Sequence, residues 1–248
     1  MDKVNFQDGD FYEKFWEDSQ YQRSYAFDSA VRDRFPAIKN VWGDLKKPKL
    51  VLDFGCGNGV LTYWLKSNGF GEQVVGVDVS KTGVENARKE FGSDSLRYEL
   101  VDYVDQLETG AFDAVVSSHV LEHIEQPEGM LKKIRSKAEW MVIEVPLEKC
   151  LWPDLSSFLR GKDRKDNSLG HVNFWNKKTF NRFIEKEGLL VVNDYQYASA
   201  PFSPFNHWAK CLVERVMLSI LGLGFYSKIM ATHYIVLARR VDSSAVNS

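Results

Sequence analysis

The stretch Ser117–Glu125, SSHVLEHIE, carries His119, Glu122 and His123 at three- and four-residue spacing, and His171 follows later in GHVNFWNKKTF. On a short helical turn His119 and His123 share a face, with Glu122 beside them. Three chemistries are open to such a set. Together with His171 it has ligand types suited to a divalent metal, although the spacing is irregular. The Leu-Glu-His triplet could instead bond neighbouring backbone and do no chemistry. In the third reading His119, first after an apolar run, takes a proton from a hydroxyl as the oxygen attacks, with His171 in reserve; imidazole suits this because its unperturbed pKa lies near neutrality. His119, His171 and His123 are therefore the catalytic candidates, and no metal ligand is assigned.

These side chains can act only where the chain delivers them. From Lys49 onward short apolar runs alternate with helical patterns, the signature of βαβ units and a parallel sheet. The runs Leu50–Phe54, Gln73–Val79, Leu96–Val101, Phe112–Ser117, Trp140–Val145, Leu189–Ala198 and Ala231–Arg239 read as strands. Between them Val60, Leu61, Trp64 and Leu65, then Val84, Ala87 and Phe91, then Met130, Leu131 and Ile134 repeat at helical spacing. Pro127 suits a first helical turn. Asn176 can cap a helix presenting Phe180, Phe183 and Ile184, which Gly188 ends. The expected fold is α/β, a seven-stranded sheet in an α/β/α sandwich.

One domain over 1–248 is expected. An aromatic-rich helical prelude (1–47) would form a lid. A core at 49–145 would bind the ligand, and two long connections, 147–175 and 201–230, would face its partner molecule.

VLDFGCGNG follows the first strand directly and opens the first helix. Gly55, Gly57 and Gly59, flanking Cys56, permit positive φ and close approach of a ligand to backbone. A dinucleotide fingerprint would require glycine at position 60, which is Val. Behind the loop come three acids at successive strand ends: Asp53, Asp78 and Asp102. Ligands of open parallel sheets bind beyond these carboxyl ends.

These segments resemble class I S-adenosylmethionine-dependent methyltransferases. VLDFGCGNG is similar to that family's motif I, VVGVDVS to motif II, LVDY to motif III and FDAVVSSHVLEHI to motif IV. The resemblance covers 49–145 strongly and continues more weakly to Arg239. It implies a Rossmann-like sheet with the last strand antiparallel, and S-adenosylmethionine as cofactor. It also implies that the loop Asp53–Gly59 holds the methionine part and that Asp78 takes the ribose hydroxyls, with Val79 against the adenine. Asp102 would meet the adenine amino group beside Tyr103, and backbone near Ser117 would close the methionine side. SSHVLEHI and the GHVNFWNKKTF segment resemble a small-molecule branch that includes ubiquinone-biosynthesis O-methyltransferases and sugar, glycan and natural-product enzymes.

Composition narrows the partners. A net charge of −2 over 248 residues offers no general attraction for a phosphate backbone. Glu122-His123 with His171 also resembles the metal-binding pattern of small-RNA 2′-O-methyltransferases, but His119 stands where that pattern has its first acid. A non-catalytic cofactor-binding partner protein is a third class, against which motifs I to IV argue. Cys56, Cys150 and Cys211 fit a reducing, cytoplasmic setting. The longest apolar run, Val216–Phe225, is well short of the roughly 20 residues that span a bilayer. Leu212, Val216, Ile220 and Leu223 could nonetheless form a helical stripe that meets a membrane surface, a lipid-linked acceptor or a second copy in a homodimer.

Overall fold

The computed structural model describes Glu13, Trp16 and residues 19–241, apart from 107, 162 and 164–169. Seven strands form one sheet in the order β3-β2-β1-β4-β5-β7-β6. They are β1 Leu50–Phe54, β2 Gln73–Asp78, β3 Leu96–Leu100, β4 Phe112–Ser118, β5 Ala138–Leu147, β6 Leu189–Tyr197 and β7 Thr232–Arg240. All pairings are parallel except those of β7, which lies antiparallel between β5 and β6. The helices are α1 Ser19–Ser29, α2 Phe35–Trp42, α3 Val60–Ser67, α4 Lys81–Phe91, α5 Pro127–Arg135, α6 Leu151–Arg160, α7 Lys177–Lys186 and α8 Trp208–Ile229.

The strands are apolar on both faces because both faces are covered. On one side Leu52, Val75, Ile143 and Val236 meet Met130, Leu131 and Ile134 of α5 and Phe180 and Ile184 of α7. On the other, Val51, Val74, Val142 and Ile235 meet Ile38, Val41 and Trp42 of α2, Leu61 and Leu65 of α3, and Val84 and Ala87 of α4. Asn176 caps α7 by accepting from Thr179 N at 2.9 Å, and the Thr179 hydroxyl closes the capping box. Ser80 caps α4 in the same manner through Gly83 N.

The two long connections are less loop-like than their lengths suggest. β5 continues to Leu147, and the connection after it contains α6; 201–230 is mostly α8, interrupted at Gly222, whose φ of 67° breaks the helix. Both helices leave large apolar side chains in solvent, including Phe158, Leu159 and Ile220. Among the described residues no helix is long and apolar enough to cross a membrane.

Candidate active site

The parallel strands end at one edge of the sheet, and there the turn after β1 is built around glycine. Gly55 and Cys56 donate their N–H groups to Val77 O at 2.8 and 3.0 Å, and Gly57 N donates to the Asp78 carboxylate at 2.7 Å. Gly57 has φ 53°, and a Cβ there would lie 2.3 Å from the Trp16 ring. The turn is thus tied to β2 from behind and covered by an aromatic ring from in front. The other Asp78 oxygen accepts from Ser80 N at 2.9 Å. Burial raises the pKa of Asp78, and burial pushes that of Asp53 up to about 6 even though Thr62 donates to it.

Beside this loop opens a cavity of about 390 Å³. Residues 55–58, Asp78 and Val79 line one end, and His119, His123, His171 and His233 line the other. Trp16, Tyr25 and Arg34 of the prelude also line it. Arg34 ends a π-helical turn, Ala30–Arg34, between α1 and α2, and its Nε is buried without a hydrogen-bond partner.

Strand register assembles the histidine end. Ser118 of β4 pairs with Glu144 of β5, and His119 N donates to Glu144 O at 3.0 Å. Because β7 runs antiparallel, its first residues reach the edge where β4 and β5 finish, so His233 falls opposite Pro146 and Tyr197. His119 Nε2 lies 3.0 Å from His233 Nδ1 and 3.4 Å from Glu144 Oε1, while His119 Nδ1 lies 3.0 Å from Glu122 Oε1. Ser118 Oγ and the Tyr197 hydroxyl both donate to Glu144. His119 has φ 57°, the one positive value among the described non-glycine residues. An L-residue pays roughly 1 kcal/mol or more for that conformation, so the surrounding contacts must enforce it.

A second group sits alongside. The backbone carbonyl of Glu122 accepts from Val172 N and Asn173 N at 2.8 and 3.0 Å, which draws the 171–173 segment against the His119 turn. His123 and His171 then stand with ring centroids 4.8 Å apart. His171 Nδ1 lies 2.7 Å from Glu148 Oε2, and His123 Nδ1 lies 3.3 Å from Gly170 O.

The histidines at this end of the cavity differ in charge state. Burial and Arg34 oppose a proton on His119, but hydrogen bonding to Glu122 and Glu144 outweighs them and raises its pKa to about 9. Burial acts against the charge of Glu122 too, yet His119 brings it down to about 2. Glu144 is likewise held well below the carboxylate range despite its burial, chiefly by His119. Burial, and then the charge on His119, depress His233 to about 4. Burial lowers His123 as well, against the pull of Glu122. At neutral pH, therefore, His119 is an imidazolium between two carboxylates while His233 and His123 are neutral.

The sequence family described as methyltransferase domain matches residues 19–193. The chain belongs to that methyltransferase family. The mitochondrial ubiquinone biosynthesis O-methyltransferase of Schizosaccharomyces pombe is 34% identical over 97 residues, which are 37% of this chain and 34% of that protein. The corresponding enzyme of Xanthomonas oryzae pv. oryzae is 28% identical over 133 residues, 43% of this chain and 55% of that protein. The matched segments thus span only a third to about half of those relatives. Magnesium protoporphyrin IX methyltransferase from Synechocystis PCC 6803, solved with S-adenosylhomocysteine, shares the fold with a TM-score of 0.61 at 18% identity over 94% of each chain.

The glycine turn leaves room for the S-adenosylmethionine expected from the sequence, because a side chain at Gly57 would run into the Trp16 ring. Of the residues expected to bind it, Gly55, Cys56, Gly57, Asp78 and Val79 line the cavity. Asp53, Gly59 and Ser117 lie behind it: Asp53 is buried against Thr62, Gly59 packs on Tyr98, and Ser117 is buried in β4 while Ser118 reaches the cavity. Asp102 is exposed on a short 3₁₀ turn whose first residue, Val101, lines the cavity; the Tyr103 side chain lies outside the described set. Sequence reasoning missed Arg34, Glu144, Tyr197 and His233. One signal was available, an acid inside the apolar run MVIEVPL, since a buried carboxylate requires partners.

Proposed function

We propose that the enzyme methylates a hydroxyl group of a small-molecule acceptor, with the acceptor held at the histidine end of the cavity. The observation that carries this reading is the continuity of one cavity from the Gly57–Asp78 turn to His119, His171 and His233. Gly55–Asn58, Asp78 and Val79 would hold S-adenosylmethionine, and Arg34, whose buried Nε has no hydrogen-bond partner, is suited to a carboxylate at that junction. When bound, the cofactor supplies a methyl group already activated on a sulfonium, so positioning and proton removal are what remain for the protein.

Among candidate bases the sequence places His119 first, with His171 in reserve. The charge state of His119 argues for His171 instead, because a group already protonated at neutral pH accepts no further proton. The tautomer of His171 that donates Nδ1–H to Glu148 presents the Nε2 lone pair as acceptor, and Glu148 stabilises the imidazolium that forms. The test is methyl transfer from labelled cofactor to phenolic, sugar and RNA acceptors and to a metabolite extract. Labelling confined to RNA would overturn the small-molecule reading. His171→Ala should lower kcat roughly 10²-fold or more with cofactor affinity kept; a fully active variant would return the base role to another residue.

The exposed faces of α6 and α8 support an acceptor that is apolar or carried by lipid. Leu151, Trp152, Phe158 and Leu159 on α6 and Leu212, Val216 and Ile220 on α8 are all at least half exposed. Glu148, which lines the cavity, shortly precedes α6, and Ala231, which also lines it, follows α8. The run RGKDRKD over 160–166, with four basic and two acidic residues, directly ends α6 in sequence, a net positive composition suited to an anionic lipid surface.

A further inference from the structure

We propose that His119, Glu144 and His233 form a divalent-cation site of the zinc class, distinct from the neighbouring Glu122, His123 and His171 group. Two imidazoles and one carboxylate are donors for a borderline metal rather than for magnesium or calcium. The three facing atoms, His119 Nε2, His233 Nδ1 and Glu144 Oε1, are separated by 3.0, 3.4 and 3.8 Å. A triangle with those edges has a point about 2.1 Å from every corner, slightly off the plane, which matches zinc–nitrogen and zinc–carboxylate bond lengths. Small ring rotations exchange the imidazole–imidazole hydrogen bond for two bonds to the ion. The fourth position of a tetrahedron then remains for an oxygen from the cavity, which both histidines line.

The groups behind the triad carry the assignment further. A metal-bound imidazole is generally held through its other nitrogen by a carboxylate. His119 Nδ1 has Glu122 Oε1 at 3.0 Å, and Glu122 is fully buried with neither oxygen otherwise hydrogen-bonded among the described residues. Glu144 is oriented by Ser118 and Tyr197. His119, at φ 57°, has its ring against Glu144 of β5 and His233 of β7. The Glu122, His123 and His171 group lies within 4.8 Å but is less prepared, since the closest Glu122–His123 approach is 3.9 Å and His171 is turned toward Glu148.

The role of the ion, though not the site, rests on the methyl-transfer reading: it would hold and polarise the acceptor's hydroxyl oxygen while His171 takes the proton. The experiment is titration of the metal-stripped full-length protein with Co²⁺ followed by visible absorption, and with Zn²⁺ by calorimetry. A single equivalent with tetrahedral cobalt bands is expected. His233→Ala should weaken binding at least about 10-fold, as should Glu144→Gln, whereas His123→Ala should leave it unchanged. His233 is partly exposed, so its variant keeps the test valid if the buried Glu144→Gln does not fold. Three results would overturn the proposal: no saturable binding, thiolate-to-cobalt charge-transfer bands, or loss in His123→Ala with retention in His233→Ala. Cofactor affinity, measured on the same samples without metal, tests the methyltransferase reading separately.

Discussion

Asp78 has work to do before any ligand arrives. One of its oxygens fixes Gly57 N and the other fixes Ser80 N, so the carboxylate both shapes the glycine turn and starts α4. Asp78→Ala should therefore weaken cofactor binding by roughly 2–3 kcal/mol, through a lost charge-assisted contact and a loosened turn. Calorimetry showing wild-type affinity in this variant would defeat its assignment. Gly57→Ala tests the turn from its other side. The φ of 53° is strained for alanine, and Trp16 stands in the way of the new methyl. Its cofactor affinity should fall by at least about 1 kcal/mol, and an unchanged value would mean that the Trp16 ring moves without cost. Both residues were legible in the sequence because their chemistry is local: a strand, a glycine turn and an acid at the next strand end.

Elements decide what was not legible. Every strand was readable from apolar runs, and the placement of β7 followed from family resemblance rather than from pattern. That placement is what converts His233 from a polar residue at a strand start into the neighbour of His119, 114 positions away in the chain. Glu144 was hidden for the same reason, since only β4–β5 register brings Ser118 beside it. Helical spacing did reveal Leu212, Val216 and Ile220 as a stripe, yet could not say which side of α8 would be covered. The structure leaves that stripe in solvent while Glu214 is buried and bonded to the Tyr226 hydroxyl at 3.2 Å. Leu212→Asp with Ile220→Asp should consequently cost little stability but reduce co-sedimentation with anionic vesicles. Equal pelleting of variant and wild type would remove the lipid reading. By contrast Phe180→Ala on α7, fully buried among Trp175, Phe183 and Tyr234, should destabilise the fold by about 3–5 kcal/mol in chemical denaturation.

At the scale of the whole molecule, two apolar layers enclose a row of titratable groups that crosses the sheet from His119 to Glu144 and His233. Its titration should govern how stability depends on pH in metal-stripped protein. His119 faces Glu122 on its own turn, Glu144 on β5, His233 on β7 and Arg34 from the prelude. Its pKa is raised to about 9, so the stability it contributes is fully present below its unfolded value near 6.5 and is lost as pH rises through about 9. Glu122 and Glu144 are depressed, so their contribution is present above about 4.5 and is lost on acidification, for Glu122 down to about 2. Between these limits Asp53 and His233 oppose each other. Asp53, raised to about 6, favours the folded state at lower pH, whereas His233, lowered to about 4, favours it at higher pH. The expected profile is a plateau between roughly pH 5 and 6.5, then an alkaline decline whose His119 part is complete near pH 9; beyond it the buried Cys56 thiol and the Tyr98 and Tyr197 hydroxyls, all raised by burial, continue the loss. Melting temperatures of wild type and His119→Gln across this range test the assignment. The variant should lose the slope between about pH 6.5 and 9, because glutamine carries no proton to release, and a slope of unchanged size in that window would place its origin elsewhere.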